Sequence, residues 1–142
     1  MVTSKASAQW VGALSDGSGT VHLDSSGAAE FPVNWKARSE GSDALTTPEE
    51  LIAAAHSSCF AMALSHALEQ NGTPPKHIES AAAVDFQPGR GITKSRLTVS
   101  AAVPGLTEDE FLKFANEAKS GCPVSAALAG IEITLDATFV AE

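Results

Sequence analysis

The sequence predicts an α+β fold, and three observations carry that prediction. Apolar and polar residues alternate at period two through the opening third, again over residues 78–103, and once more over residues 131–139, which is the pattern of half-buried strands. Between the first two stretches lies a long apolar segment with a helix start signal at Thr47 and a stop at Asn71 and Gly72. The elements come in blocks of three strands, a helix, two strands, one or two helices and a last strand, which argues against an alternating α/β arrangement.

Taken in order, Ala8, Trp10 and Gly12, then Val21 and Leu23, then Ala29, Phe31, Val33 and Trp35 mark three short strands joined by turns at residues 15–19 and 24–27, rich in Asp, Ser and Gly. Residues 38–45 read as a polar loop. Thr47 can cap the central helix, Pro48 suits its first position, and Glu50 completes a Thr-x-x-Glu capping box. From Leu51 to Leu68 this helix is apolar or small on nearly every side, so it belongs inside the protein. Ile78, Ala82, Val84 and Phe86 share one parity of a strand; Leu97, Val99, Ala101 and Val103 share one of the next. Thr107 with Glu110 forms a second capping box, for a helix that closes at Gly121, and Pro123 can start a short helix directly after Cys122. Ile131, Ile133, Leu135, Ala137 and Phe139 line one face of a final strand.

These elements are expected to form antiparallel sheets packed on the buried central helix, in one domain spanning residues 1–142. A single sheet covers only one side of such a helix. A second copy of the chain is the economical cover for the rest, which predicts a homodimer.

Composition narrows the function. Seventeen acidic against nine basic residues give a net charge of -8, which repels nucleic acid and anionic lipid surfaces. No export signal is read near the N-terminus and no window reads as a membrane span, so the chain is expected to be soluble and cytoplasmic. Two cysteines, 63 positions apart, fit redox or metal chemistry better than a secreted disulfide framework.

The run from Thr47 to Ser65, Thr-Pro-Glu-Glu-Leu-Ile-Ala-Ala-Ala-His-Ser-Ser-Cys-Phe-Ala-Met-Ala-Leu-Ser, resembles the helix of the OsmC/Ohr thiol peroxidases. Gly121-Cys-Pro-Val-Ser resembles the second cysteine motif of the same family, and the segments at residues 35–41 and 91–94 extend the likeness over nearly the whole chain. His56 stands where Ohr sequences tend to carry an aromatic residue, which places the likeness in the OsmC branch. Thr47 departs from the commoner Asn but caps a helix equally well. Ser57 and Ser58 replace small apolar residues beside the thiol, which bears on its hydrogen bonding and on substrate preference.

The resemblance implies an OsmC/Ohr-like fold, an intertwined homodimer, and a catalytic set of Cys59, Cys122, Arg38 and Glu49. It implies an organic hydroperoxide as substrate, a dithiol reductant, for which a lipoyl group is one candidate, and neither cofactor nor metal. In such a cycle Cys59 attacks the peroxide and passes through a sulfenic acid, and Cys122 closes a disulfide with it. Arg38 is the candidate cation for the Cys59 thiolate, Glu49 would hold Arg38, and Phe60 and Met62 would favour peroxides with apolar substituents. Glu49 and Cys59 are ten residues apart, about 15 Å along a helix rising about 1.5 Å per residue, so either the first turn is displaced or, as expected here, the site is shared between two chains.

Other readings of the same residues stay open. Cys59 taken alone is more often an inert core residue, and Cys122 a cap. Arg38 alone reads as a solvated loop residue, Glu49 as a helix-dipole acid and His66 as helix surface. His56 lies one turn from Cys59, so Cys59, Cys122 and His56 could hold a metal; a packed or hydrogen-bonded His56 is the plainer reading. A non-catalytic redox sensor or a binder of apolar ligands on the same scaffold is the alternative to an enzyme.

Overall fold

The computed structural model describes residues 1–140 and divides into two compact units, Met1–Leu51 and Ile52 onward. The first unit holds strands β1 (Ser7–Val11), β2 (Ser18–His22) and β3 (Glu30–Val33), paired antiparallel in that order. Gly19 faces Trp10 across β1 and β2, and a Cβ at residue 19 would sit 2.7 Å from the indole ring, so only glycine fits beneath this tryptophan.

Trp35 does not extend β3, and Arg38 is not in a loop. Asn34 caps a short helix, α1 (Trp35–Glu40), its Oδ1 accepting from the Ala37 N–H at 2.8 Å. The capping side chain turns the backbone into a helix where the alternation of apolar residues pointed to a strand.

Helix α2 (Pro48–Gln70) begins in the first unit and continues through the second. Thr47 Oγ1 accepts from the Glu50 N–H at 3.1 Å, while the Glu50 carboxylate takes the hydroxyl of Thr46 at 2.5 Å. At the other end Gly72 has a φ of 80°, its N–H donates to the Glu69 carbonyl, and the Thr73 N–H donates to that of Leu68. These two bonds and the left-handed glycine form a Schellman stop.

The second unit continues with β4 (His77–Gln87), β5 (Gly91–Ala102), α3 (Glu108–Gly121), α4 (Pro123–Ala127) and β6 (Glu132–Val140). The capping box at Thr107 and Glu110 is complete, and Cys122 is both the C-cap of α3 and the N-cap of α4. This sheet, in the order β4-β5-β6, is mixed: β4 and β5 form an antiparallel hairpin, but β6 runs parallel to β5. That corrects the expectation of purely antiparallel sheets. The chain leaves β5 at Ala102, crosses back through α3 and α4, and re-enters beside the start of β5, a connection long enough for a parallel pairing.

The core of this unit joins Phe60, Leu64 and Leu68 of α2 to Leu97, Val99 and Ala101 of β5 and to Phe111, Ala115 and Ala118 of α3. Phe111 and Phe139 add a tilted aromatic contact with centroids 5.4 Å apart. His56, Phe60, Leu64 and Leu68, spaced four apart, are the fully buried line of α2, whereas Ala54, Ala55, Ser58 and Met62 are exposed. By length and composition α2 is apolar enough to cross a membrane, contrary to the sequence reading. Its buried line is nonetheless packed in the protein's own core, a role that demands the same composition.

Candidate active site

Four residues anticipated as a site fall into two pairs. In the first unit, Arg38 on α1 meets Glu49 in the first turn of α2: its Nε donates to both carboxylate oxygens, at 2.9 and 3.3 Å. Glu49 is almost wholly buried and Arg38 is one-third exposed. A buried carboxylate needs such a charge-assisted contact, because leaving it unpaired costs several kcal/mol, roughly. Arg38 also borders an open groove of about 390 Å³ walled by Trp10, Leu14, Val21, Val33 and Trp35.

In the second unit, Cys59 on α2 and Cys122 between α3 and α4 are both free thiols, near enough for each to shift the other's ionisation. Cys59 is partly exposed; Cys122 is fully buried. Burial pushes the Cys59 thiol up, and its hydrogen bond with Cys122 adds to the rise. Burial also pushes Cys122 up, but hydrogen bonds from Cys59, the Ser125 and Val124 N–H groups and the Ser125 hydroxyl outweigh it and set Cys122 below the ordinary thiol value. Cys59 requires a further positive group to ionise at neutral pH.

His56 is not turned towards a metal. Its Nδ1 lies 2.7 Å from Ser95 Oγ and its Nε2 2.8 Å from Ser125 Oγ, with all three side chains buried. Burial lowers its pKa and keeps the ring neutral. Among the described residues no group of three His, Cys, Asp or Glu side chains is assembled to hold a metal ion. The hydroxyls of Ser57 and Ser58 donate to helix carbonyls of Ala54 and Ala55 instead of reaching the thiol. Phe60 is fully buried in the core, while Met62 is 71 % exposed and His66 lies on the surface.

Ser95 and Ser125 were not foreseen, although the signals exist. Ser95 shares its parity with Leu97, Val99 and Ala101 on an inward strand face, and His56 shares the four-residue spacing of Phe60, Leu64 and Leu68. Polar residues on an apolar stripe must find buried partners, and these find each other.

An α+β scaffold presenting two reduced thiols that shift each other's ionisation defines a dithiol protein. Residues 41–136 match the family model described as OsmC-like protein. The chain is 42% identical over 135 residues to peroxiredoxin OsmC of Escherichia coli K12 and likewise to that of Shigella flexneri, with 93% of each chain covered. Among solved structures, an organic hydroperoxide resistance protein from Elizabethkingia anophelis superposes with a TM-score of 0.72 at 26% identity, covering 99% of this chain and 98% of that one. The organic hydroperoxide resistance protein OhrB of Bacillus subtilis gives 0.68 at 24% identity, covering 96% and 98%. The chain belongs to the OsmC family.

Proposed function

We propose that this chain is a thiol peroxidase that reduces organic hydroperoxides to alcohols. The observation that supports the reading is a pair of free thiols, Cys59 and Cys122, near enough to shift each other's ionisation, as two sulfurs that close a disulfide must be. The names of the relatives, peroxiredoxin and organic hydroperoxide resistance protein, support the same chemistry.

In the proposed cycle the Cys59 thiolate attacks the hydroxyl-bearing oxygen of R-O-O-H. The O–O bond breaks, the alkoxide takes a proton and leaves as alcohol, and Cys59 becomes a sulfenic acid. The Cys122 sulfur then attacks the Cys59 sulfur, the S–O bond breaks, and water departs with the Cys122 proton. An external dithiol returns two electrons and two protons. No cofactor or metal enters the cycle.

Arg38 is assigned the cation that ionises Cys59 and holds the peroxide oxygens, with Glu49 orienting its guanidinium. The apolar groove beside Arg38 suits a hydrocarbon substituent on the peroxide. Because Glu49 and Cys59 are too far apart on α2 to touch, Arg38 and Glu49 of a second copy are proposed to complete each thiol pair. That homodimer would also cover Ala54, Ala55, Ser58 and Met62 on the open face of α2. A reducing cytoplasm fits the two free thiols.

The test is steady-state consumption of an alkyl hydroperoxide with a dithiol reductant. Cys59→Ser is expected to lose turnover by about three orders of magnitude or more, as for other essential nucleophiles. Cys122→Ser is expected to complete one turnover and then accumulate over-oxidised Cys59, read by mass spectrometry. Full turnover in Cys59→Ser would overturn the reading; stoichiometric oxidation without turnover in the wild type would favour a redox sensor.

A further inference from the structure

His56 has no part in the cycle described above, yet it is fully buried in α2, about one helical turn before Cys59. Its ring joins α2 to two other elements: Nδ1 lies 2.7 Å from Ser95 Oγ on β5, and Nε2 lies 2.8 Å from Ser125 Oγ on α4. A third tie sits beside it. The Ser80 hydroxyl of β4 donates to the Ser57 carbonyl at 2.8 Å. The turn of α2 that leads into Cys59 is thus held to β4, β5 and α4 by three hydrogen bonds.

Composition explains why hydrogen bonds are needed here. Residues 53–58 are Ala-Ala-Ala-His-Ser-Ser, and apart from the histidine these small side chains interdigitate little with a neighbour, so apolar packing does not fix the register of this turn. Helix α4 is in the same position. Among the described residues Ser125 is its one buried side chain, and the apolar core includes none from Pro123–Ala127. The contact between Ser125 and His56 is therefore what ties α4 to the interior. Cys122 is the N-cap of α4, and the Ala126 N–H donates to the Cys122 carbonyl at 3.1 Å, so Cys122 moves with that helix.

We propose that His56, with Ser95 and Ser125, is an anchor that sets the spacing of the two cysteine-bearing segments, which makes His56 a positioning residue for closure of the Cys59–Cys122 disulfide. Cys59 follows His56 by three residues and Cys122 precedes Ser125 by three, so each cysteine sits about one turn from the same contact. A disulfide closes without strain only over Cα separations of about 4.4–6.8 Å, and a freed α4 would spend much of its time outside that range. The hydrogen bonds of the anchor are directional, so they hold a separation that small apolar side chains would let slide. The role rests on the pairing of Cys59 with Cys122 proposed above.

The experiment equilibrates the protein with mixtures of reduced and oxidised dithiothreitol and reads the Cys59–Cys122 disulfide by thiol alkylation and mass spectrometry. In this exchange the S–S bond of the oxidant opens as the protein S–S bond forms, and two electrons and two protons pass from the cysteines to the dithiol. Ser125→Ala or His56→Phe is expected to lower the equilibrium constant for the disulfide about tenfold, the effect of losing one buried hydrogen bond. Ser95→Ala, which acts on α4 through His56, is expected to lower it about threefold. His56→Gln, whose amide offers one serine a donor and the other an acceptor, is expected to restore most of the loss.

An unchanged equilibrium in Ser125→Ala would overturn the proposal, and this change is small enough to decide the matter even where His56→Phe fails to fold. A loss confined to Ser125→Ala, with Ser95→Ala at the wild-type value, would place the effect beside Cys122 and overturn it as well. Glutamine behaving like phenylalanine would do the same. Equal disulfide in every variant removes the anchor and leaves the pairing standing, whereas a wild type that forms no Cys59–Cys122 disulfide removes both.

Discussion

The two units of the chain are built to different standards of burial. From Ile52 onward a core of eleven residues is closed by α2, β5, α3 and their neighbours, whereas the only buried residues before it are Ala37 and Glu49. The first unit leaves Trp10, Val11 and Leu14 exposed on and beside a sheet of three short strands. Such a sheet is marginal without a covered apolar face. The contrast teaches where each kind of chemistry can be kept. Cys122 and the neutral histidine are fully buried there and Cys59 is partly exposed, while the arginine lies beside an open groove and is paired with a buried carboxylate.

Mutation can sharpen this contrast, beginning with the largest expected effect. Leu64→Ala removes a fully buried side chain from the second core and is expected to cost about 3 kcal/mol or more in denaturant unfolding. Trp10→Ala, at a site 43% exposed, is expected to cost about 1 kcal/mol or less in the same measurement. Equal losses at the two positions would break the comparison.

Arg38→Met leaves Glu49 buried without its ion-pair partner, so it is expected to destabilise the protein by about 3 kcal/mol. The proposed role adds a loss of about a hundredfold in the rate of peroxide consumption. Pairing the change with Glu49→Gln removes the buried charge, so stability should return while the rate does not. Recovery of both would reduce Arg38 to a structural partner.

The smallest effect is a pH dependence set by His56. Its folded pKa lies below the ordinary 6.5, so between the two values the unfolded chain binds a proton that the folded chain refuses. Its contribution to stability is therefore complete above about pH 6.5 and is lost as pH falls towards the folded pKa, at up to about 1.4 kcal/mol per pH unit for one proton. Unfolding midpoints measured from neutral pH downward should show this slope in the wild type and lack it in His56→Gln.

Much of this protein was determined by the sequence by itself. The α+β class, the start of α2 at Thr47, its stop at Gly72, the capping box of α3 and the place of Cys122 before Pro123 all follow from short stretches, because capping and periodicity act over a few residues. Tertiary structure alone decided the parallel pairing of β6 with β5, the open face of α2, and the meeting of His56 with serines 39 and 69 residues away. Local propensity cannot specify these, since each depends on which distant groups replace water around a side chain once the core has closed.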